Sequence, residues 1–359
     1  MSRLQSARGK FGTVEMPAMI DLDELTPEPL APVLSSIYDL HDPVACAWLS
    51  SGLNAVFRVT AGSDKYVLKI YRAGWRSRAE VLQEFAAVSH LHGKGVRVPV
   101  PIALKGGARV WSLTVKGRER QAALFTYAGG ELVSSPDVAS GRLLGRALAE
   151  IHNATDGFWD APVRYDLEQL LTEPAREIAL FLQNRPGDRR RVEALAAQLR
   201  ARIRKIVPAP DWGYCHGDFR PANVHLDEAA NSVITIDFEL GGIGLRLYDL
   251  AEMQLNLHPL ALEHLWGAPA NENYEQGWAG FLDGYAEHRP LSDADRRAIP
   301  LFVACRLIHL MGFLLTTARQ PGNEDYWRPA EPGGMPGGAL FEGALRFLRE
   351  WQSSYLRDL

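Results

Sequence analysis

A stretch in the second half of the chain, CHGDFRPANVHLDEAANSVITIDFE at positions 215–239, contains the residues that could carry chemistry. Asp218 lies in a predicted loop with Gly and Pro, Asn223 follows five residues later, and Asp237 comes another fourteen residues on, after the apolar strand VITI. A loop carboxylate can accept a proton from an attacking hydroxyl, and an amide with a second carboxylate supplies the oxygens that Mg²⁺ prefers. Each residue alone is typical of a polar turn. The three in this order and spacing favour a site that uses Mg²⁺.

Lys69 and Glu84 are candidates for a second charged pair. Lys69 lies among apolar neighbours in the predicted strand YVLKIY at 66–71, where an ammonium group is costly unless it is paired. Glu84 falls in the apolar stripe of a helix predicted from about 77 to 92, so it needs a cationic partner. Lys69 could instead be an edge-strand lysine that limits aggregation, and Glu84 could reach solvent from the rim of the buried face. Glu80 is the alternative partner for Lys69.

The elements that must position these residues change character along the chain. Short runs rich in β-branched and aromatic residues predict strands up to about Tyr127, with one helix between them. Beyond AGGE at 128–131 the apolar spacing predicts helices, the first capped by Asp137 and running to about Asn153. The predicted strands cover 55–60, 66–71, 109–115 and 120–127, and further helices cover 166–183, 187–206 and most of the chain from about 249.

Composition limits the class of protein. The chain has 359 residues, 47% of them apolar and 23% charged, with a net charge of −4. It can therefore bury a large core, and it lacks the basic excess usual for nucleic-acid binding. Three widely spaced cysteines, Cys46, Cys215 and Cys305, argue against a disulfide framework or a cysteine-based zinc site and favour the cytoplasm. The apolar segment 301–315 is too short to cross a membrane and predicts a buried helix.

Together these motifs resemble the aminoglycoside phosphotransferase and choline-kinase-like family of the protein-kinase-like superfamily, in its bacterial members. The HGD-x4-N and IDFE motifs are the most specific part of the resemblance, and LGRALAEIH supports them. The similar segments are YVLKIY (66–71), LFTYAGG (124–130), LGRALAEIH (144–152), HGDFRPANV (216–224), TIDFE (235–239) and YDLA (248–251).

The resemblance implies a fold and a pair of cofactors. The fold is α+β and two-lobed, as in protein kinases, with an N-terminal arm over 1–30 and a small β-rich nucleotide-binding lobe over 31–127. A larger, mostly helical lobe over 128–359 carries the catalytic and substrate-binding residues. ATP and Mg²⁺ are the implied cofactors, and the implied activity is phosphate transfer to an alcohol group.

A role follows from the resemblance for each charged candidate. Asp218 would be the catalytic base that orients the acceptor hydroxyl. Asn223 and Asp237 would hold Mg²⁺ against the ATP phosphates. Lys69, fixed by Glu84, would neutralise phosphate charge.

The remaining candidates have supporting roles in the same family. The backbone of Phe125, Thr126 and Tyr127 would bond the adenine ring at the connector between the lobes. His216 would brace the catalytic loop, and Asp249 would support that loop rather than touch the substrate.

The sequence departs from protein kinases in two places. The loop G-x-G-x-x-G is absent, and SSGLNAVFRV at 50–59 has one glycine, so backbone N–H groups from 51–54 are the candidates to cover the phosphates. Phe238 and Glu239 follow the metal carboxylate Asp237. This ending suits the small-molecule branch and provides no mobile glycine for an activation-loop switch.

The phosphate acceptor stays open at this point. The resemblance implies a small-molecule hydroxyl, on an amino alcohol, a sugar or an aminoglycoside-like antibiotic. The charge balance and the lack of a long apolar segment predict no nucleic-acid or membrane partner. A polybasic acceptor needs a carboxylate-lined pocket, for which Glu239, Glu252, Glu324 and Asp325 are available. The alternatives are a protein Ser/Thr kinase of the bacterial stress-response type and a non-catalytic nucleotide-binding pseudokinase. The oligomeric state is left open.

Overall fold

Two compact units make up the described part of the chain. The computed structural model describes residues 20–22, 24–51, 53–133, 135–207, 210–227, 230–269, 272–320 and 337–357. The N-terminal part is rich in strands and the C-terminal part is mostly helical, so the predicted α+β class is confirmed. The first unit runs up to Arg78 and resumes over Pro101–Tyr127, and the second comprises Ala79–Val100 and the residues from Ala128 onwards. Residues 1–19 of the predicted arm lie outside the described residues.

In its described residues, the first unit consists of one helix and one six-stranded sheet. The elements are β1 (Ile20–Leu22), α1 (Leu30–Ile37), β2 (Val44–Ser51), β3 (Ala55–Ala61), β4 (Asp64–Ile70), β5 (Trp111–Val115) and β6 (Arg118–Thr126). The strand order in the sheet is β1-β5-β6-β4-β3-β2. Neighbouring strands are antiparallel, except that β1 and β5 are parallel.

Alternating side chains account for this sheet. Phe57 and Val59 on β3 and Leu68 on β4 are fully buried, and α1 covers them with Leu30 and Leu34. The four strands predicted before the connector are confirmed, because each carries the β-branched and aromatic residues that fit a half-buried pleated surface. Strands β1 and β2 have no counterpart in the predicted set, since β1 has only three residues and owes its strand form to pairing with β5.

The second unit contains the helices that surround the candidate site. The helices are α2 (Arg78–Gly93), α3 (Val138–Ala154), α4 (Glu173–Phe181), α5 (Pro186–Ile206), α6 (Leu247–Leu257), α7 (Pro259–Ala261), α8 (Tyr274–His288), α9 (Asp293–Ala318) and α10 (Gly337–Tyr355). The strands are β7 (Glu131–Leu132), β8 (Val163–Tyr165), β9 (Trp212–Cys215), β10 (Val224–Asp227), β11 (Ser232–Thr235) and β12 (Gly242–Leu245). These strands form two small sheets, one of order β11-β10-β7 and one of order β8-β12-β9.

Helix α2 belongs with the helical unit, although the predicted lobe boundaries placed it with the strands. Its buried residues Val88 and Leu91 pack into the core of the second unit. His90 Nε2 contacts the carbonyl oxygen of Ala154, at the end of α3, at 2.8 Å. The predicted helix is therefore present, and its apolar face explains why it packs there.

Helix α9 crosses the centre of the second unit. Residues 301–315 lie within it and are mostly buried, as predicted. Within the described ranges, α9 is the one helix long and apolar enough to cross a membrane, and 83% of its most apolar window is buried inside the protein. This burial identifies α9 as a core helix, and it places Arg306 in the interior.

Glycine residues allow α3 and α8 to approach closely. A Cβ atom at Gly145 of α3 would overlap the carbonyl oxygen of Phe281, and one at Gly284 of α8 would overlap a carbonyl oxygen of α3. The close approach sets the separation of His152 and Tyr285, which lie on these two helices and meet at 2.8 Å. The helix crossing thus determines the geometry of a buried hydrogen bond beneath the candidate site.

We expect Gly145→Ala to lower the free energy of unfolding by roughly 1–3 kcal/mol, because the added methyl group must push two packed helices apart. Chemical denaturation followed by circular dichroism measures this. Gly187→Ala is the matched control, since it lies in the first turn of α5 with open space around its Cβ position, and it should leave stability equal or higher. Equal stability of Gly145→Ala and the parent would contradict the close-packing account.

Candidate active site

The loop that carries Asp218 follows β9 and is fixed at its backbone by Asp249. The Asp249 carboxylate accepts hydrogen bonds from the backbone N–H groups of His216, at 2.6 Å, and Gly217, at 2.8 Å. Gly217 has a φ of +82°, and a Cβ atom there would overlap the carbonyl oxygen of Leu240, so only glycine fits this turn. Since Asp249 is fully buried, it contacts the loop from inside the protein.

A chain of buried side chains orients Asp249 in turn. His152 Nε2 lies 3.0 Å from the Asp249 carboxylate, and His152 Nδ1 lies 2.8 Å from the Tyr285 hydroxyl. Because a carboxylate only accepts hydrogen bonds, Nε2 carries the proton and Nδ1 accepts from the tyrosine. Burial lowers the pKa of His152, which favours this neutral form. His152 ends the LGRALAEIH motif, but its contact with Asp249 was not anticipated from the sequence.

The His216 side chain connects the Asp218 loop to the segment before Asp237. Its Nε2 lies 2.9 Å from the carbonyl oxygen of Ile236, and its Nδ1 accepts the backbone N–H of Asp218 at 3.2 Å. The ring also packs against Phe238, with 4.5 Å between ring centroids. These contacts are what a residue bracing the loop would make.

The two carboxylate oxygens of Asp218 have different surroundings. Oδ2 accepts hydrogen bonds from Asn223 Nδ2 at 2.7 Å and Arg220 Nε at 3.1 Å. Oδ1 lies 3.5 Å from Arg306 Nη2, which is an ion-pair distance longer than a good hydrogen bond. Burial raises the pKa of Asp218, and Arg220 acts in the opposite direction, while the negative charge of Asp237 adds to the increase. Oδ1 is therefore the oxygen better placed to receive a proton.

Asn223 and Asp237 lie at the same end of a β-hairpin. Asn223 directly precedes β10, and Asp237 follows β11 after one intervening residue. The strands pair with Val224 opposite Thr235, and the Ile236 N–H donates to the Asn223 carbonyl oxygen at 2.9 Å. Asp237 has a φ of +66°, a left-handed conformation that is rare for a residue other than glycine. Such backbone strain is concentrated at functional sites.

The donor set at this end of the hairpin fits Mg²⁺. Because the amide nitrogen of Asn223 donates to Asp218, its Oδ1 is the atom left for a cation. Asp237 adds a carboxylate. Among the described residues, no group of three or more His, Cys, Asp or Glu side chains is placed to hold a metal. Two oxygen ligands suit Mg²⁺, which usually completes its shell with water and phosphate oxygens.

Lys69 lies in an internal strand of the first unit. β4 has β3 on one side and β6 on the other, with Lys69 opposite Val56 and Ala123. The alternative of an edge-strand lysine is therefore wrong, because both sides of the strand are paired. Lys69 is buried, at 7% exposed, and its Nζ lies 4.9 Å from the ring centroid of Tyr71. A buried ammonium group in a central strand needs electrostatic stabilisation.

Glu84 lies on α2 in the second unit and is 6% exposed. The alternative in which it reaches solvent from the rim of the helix is wrong, because the side chain is buried. Lys69 and Glu84 belong to different units, and their ion pair stays a prediction.

The predicted adenine-binding residues end the first unit. Phe125 and Thr126 close β6, with Phe125 paired to Val67 and bridged to Pro101. Tyr127 follows and is exposed, with Lys65 Nζ 5.7 Å from its ring centroid. The adenine-binding role of these three residues stays a prediction.

The predicted phosphate-covering loop is described in part. Gly52 lies outside the described residues. Asn54 is buried, and its Oδ1 accepts the backbone N–H of Arg72 at 3.0 Å. The side chain of Asn54 therefore stabilises the sheet, and phosphate binding by 51–54 stays a prediction.

Arg306 and Glu252 form a buried ion pair beside Asp218. Glu252 on α6 accepts hydrogen bonds from Arg306 Nε and, at 3.2 Å, from Arg306 Nη2. Both side chains are less than 10% exposed. Glu252 is therefore engaged by a cation of the same chain, and its place in an acceptor pocket for polybasic compounds stays a prediction. Glu239 is also buried, and Glu324 and Asp325 lie outside the described residues.

The signal for Arg306 was present in the sequence. It is a charged residue inside the otherwise apolar segment 301–315, and buried charges are paired. Its partner could not be chosen, because α6 and α9 are far apart along the chain.

A β-rich unit followed by a helical unit with this loop and hairpin defines a kinase-like phosphotransferase. A sequence profile of the phosphotransferase enzyme family matches residues 48–291. The chain belongs to this family, as its motifs predicted, and it is a phosphotransferase.

Relatives by sequence include proteins named as kinases. An uncharacterised protein of Deinococcus radiodurans is 36% identical over 98% of this chain and 96% of its own length. A homoserine kinase of Phenylobacterium zucineum is 30% identical over 77% of this chain and 81% of its own length.

Solved structures share the fold at lower sequence identity. A microcompartment-associated aminopropanol kinase is similar with a TM-score of 0.64 and 20% identity, over 91% of this chain and 98% of that one. An amicoumacin kinase in complex with AMP-PNP, Ca²⁺ and Ami has a TM-score of 0.64 and 19% identity, over 91% of this chain and 93% of that one. At these identities the likeness concerns the fold.

Proposed function

We propose that the protein transfers the γ-phosphate of Mg·ATP to a hydroxyl group of a small molecule. The observation that supports this most is the convergence of Asp218, Asn223 and Asp237 at one loop and one hairpin end. Asp218 Oδ2 is occupied by Asn223 and Arg220, and Oδ1 is available. A buried carboxylate with one available oxygen beside two oxygen donors for a cation matches the needs of phosphoryl transfer.

Each group has a defined task in the proposed reaction. The acceptor hydroxyl donates a hydrogen bond to Asp218 Oδ1. As the new O–P bond forms and the bond to the β,γ-bridging oxygen breaks, the hydroxyl proton passes to Oδ1 and ADP leaves. Asn223 and Asp237 would hold Mg²⁺, which supplies charge neutralisation to the phosphate oxygens when bound.

The first unit contributes nucleotide-binding groups in this proposal. Lys69, paired with Glu84, would neutralise phosphate charge. The backbone of Phe125, Thr126 and Tyr127 would bond adenine. The choice of ATP is supported by the amicoumacin kinase, a protein of similar fold whose structure contains AMP-PNP.

For the acceptor, we infer a short hydroxyl compound with one amino group, such as an amino alcohol or a hydroxy amino acid. Relatives named homoserine kinases span most of this chain, and the aminopropanol kinase shares its fold. The charge near Asp218 also favours small acceptors over polycationic ones, because Glu252 is already paired with Arg306. The carboxylate of Glu252 therefore has less negative charge to offer a polycationic acceptor than the sequence alone indicated.

An ADP-release screen tests this proposal. The acceptors are homoserine, 1-amino-2-propanol, ethanolamine, choline, a hexose, an aminoglycoside and a generic protein substrate, each with ATP or GTP and Mg²⁺. We expect the highest kcat/KM, by at least about tenfold, for one of the short amino compounds with ATP, since a matched site discriminates by a few kcal/mol. ADP release with the protein substrate alone would support the protein-kinase alternative. Absence of ADP release with every acceptor would favour the pseudokinase alternative and contradict the proposal.

A further inference from the structure

We infer that Glu252 and Arg306 are positioning residues that keep Asp218 Oδ1 free and aimed at the acceptor hydroxyl. The inference rests on the proposed function, and it assigns a purpose to a buried ion pair between α6 and α9 whose arginine lies beside the base. Buried ion pairs often contribute little net stability compared with apolar residues of the same shape. Because Arg306 of this pair lies 3.5 Å from the proposed base, the pair is better explained by geometry than by stability.

The two carboxylate oxygens of Asp218 have different neighbours. Oδ2 is fixed from one side by hydrogen bonds from Asn223 and Arg220. Within the described part of the chain, the charged neighbour of Oδ1 is Arg306 Nη2, at a separation of 3.5 Å. A direct charge-assisted hydrogen bond would be about 2.7–2.9 Å long. Arg306 is thus close enough to attract Oδ1 and too far to occupy it.

Residues of α6 hold Arg306 at its distance of 3.5 Å from Asp218 Oδ1. Glu252 binds two nitrogens of its guanidinium group, Nε and Nη2. The Tyr248 ring lies alongside, 5.6 Å from the Arg306 Cζ atom. Glu252 is itself anchored by Asn256 Nδ2, which donates to its Oε1 at 3.0 Å. The guanidinium group is therefore held by α6 and is unable to close onto Asp218.

Helix α6 carries both Glu252 and the residue that fixes the catalytic loop. α6 provides Asp249, which binds the backbone of the catalytic loop, and one turn later it provides Glu252. One rigid helix thus sets both the loop backbone and, through Arg306, the direction of the Asp218 side chain. Misplacement of a reacting group by about 1 Å can lower a rate about 100-fold.

The decisive variant is Glu252→Gln, which keeps shape and removes the charge that restrains Arg306. We expect Arg306 to close onto Oδ1, so that kcat falls about 10- to 100-fold while KM for Mg·ATP stays within about twofold. In Arg306→Lys the ammonium group is unable to bind Glu252 through two nitrogens, and we expect a loss of about tenfold in kcat. Arg319→Met, at the exposed end of α9 with Glu177 as partner, is the matched control and should leave kcat unchanged.

The same two substitutions in an Asp218→Asn background separate positioning from a merely structural role. If both residues act through Asp218, neither should lower the residual kcat by more than about twofold there. Equal fold-losses in both backgrounds would overturn the inference. So would an unchanged kcat for Glu252→Gln in the parent background.

A crystal structure of Glu252→Gln gives a test that does not need turnover. The expected result is Arg306 Nη2 within hydrogen-bond distance of Asp218 Oδ1. An unchanged separation in a folded variant would overturn the inference. Failure of the acceptor screen would instead count against the proposed function, since this distance is measured without any acceptor.

Discussion

Asp218→Asn is expected to lower kcat by roughly 10²–10⁴-fold, because it replaces the proposed proton acceptor with an amide of the same shape. Affinity for Mg·ATP should stay nearly unchanged, because Asp218 is proposed to contact the acceptor rather than the nucleotide. Steady-state ADP release measures kcat, and isothermal titration calorimetry measures nucleotide binding.

A matched control uses the same chemical change nearby. Asp227→Asn lies at the far end of β10, where the carboxylate pairs with Arg97 at 2.9 Å. It should leave turnover within about twofold, because this end of the hairpin is opposite the end that carries Asn223 and Asp237. Turnover of Asp218→Asn equal to that of the parent would remove Asp218 from the mechanism.

Substitution of Asp237 is expected to have the second largest effect, on nucleotide binding. Asp237→Ala removes a proposed Mg²⁺ ligand, and we expect Mg·ATP to bind at least about tenfold more weakly. A tenfold decrease in affinity corresponds to a loss of only about 1.4 kcal/mol of binding free energy. Calorimetric titration with Mg·ATP measures the change.

Backbone strain at this position calls for a second variant. Asp237 has a left-handed backbone with a φ of +66°, which alanine tolerates less well than asparagine. Asp237→Asn keeps the local conformation and removes the negative charge, so it should also weaken Mg·ATP binding while thermal stability is retained. Equal calorimetric affinity of both variants and the parent would contradict the metal role.

The sequence was most informative where chemistry and local structure coincide. The spacing of Asp218, Asn223 and Asp237 indicates a site, and the hairpin between β10 and β11 explains the fourteen residues from Asn223 to Asp237, since it returns the chain to its starting point. Asp137 was predicted to cap a helix, and its side chain accepts the Ser140 N–H at 2.8 Å at the start of α3. Both features depend on residues close together in the chain.

Long-range contacts were beyond the sequence. The Arg306–Glu252 pair joins residues 54 positions apart, and the His152–Tyr285 hydrogen bond spans 133. A buried charge predicts that a partner exists, but the choice of partner depends on how helices pack. The glycine residues that let α3 and α8 approach illustrate this. The sequence does not show why position 284 needs a glycine, because the reason is the carbonyl oxygen of α3 that packs against it.

The net charge of the chain and the position of Lys69 both bear on the proposed nucleotide site. A net charge of −4 spread over the chain gives no general attraction for polyanions, so the proposed nucleotide binding would depend on local groups, among which we propose Lys69. Burial of that lysine in an internal strand makes it a fixed, directional cation. The proposed nucleotide site thus depends on placement rather than on bulk charge.

A crystal structure with AMP-PNP and Mg²⁺ tests the central claim most directly. We expect a metal ion bonded to oxygens of Asn223 and Asp237 and to phosphate oxygens, with the γ-phosphate facing Asp218 Oδ1 and Lys69 beside the other phosphates. A nucleotide bound elsewhere, or a metal ion without contact to Asn223 and Asp237, would contradict it.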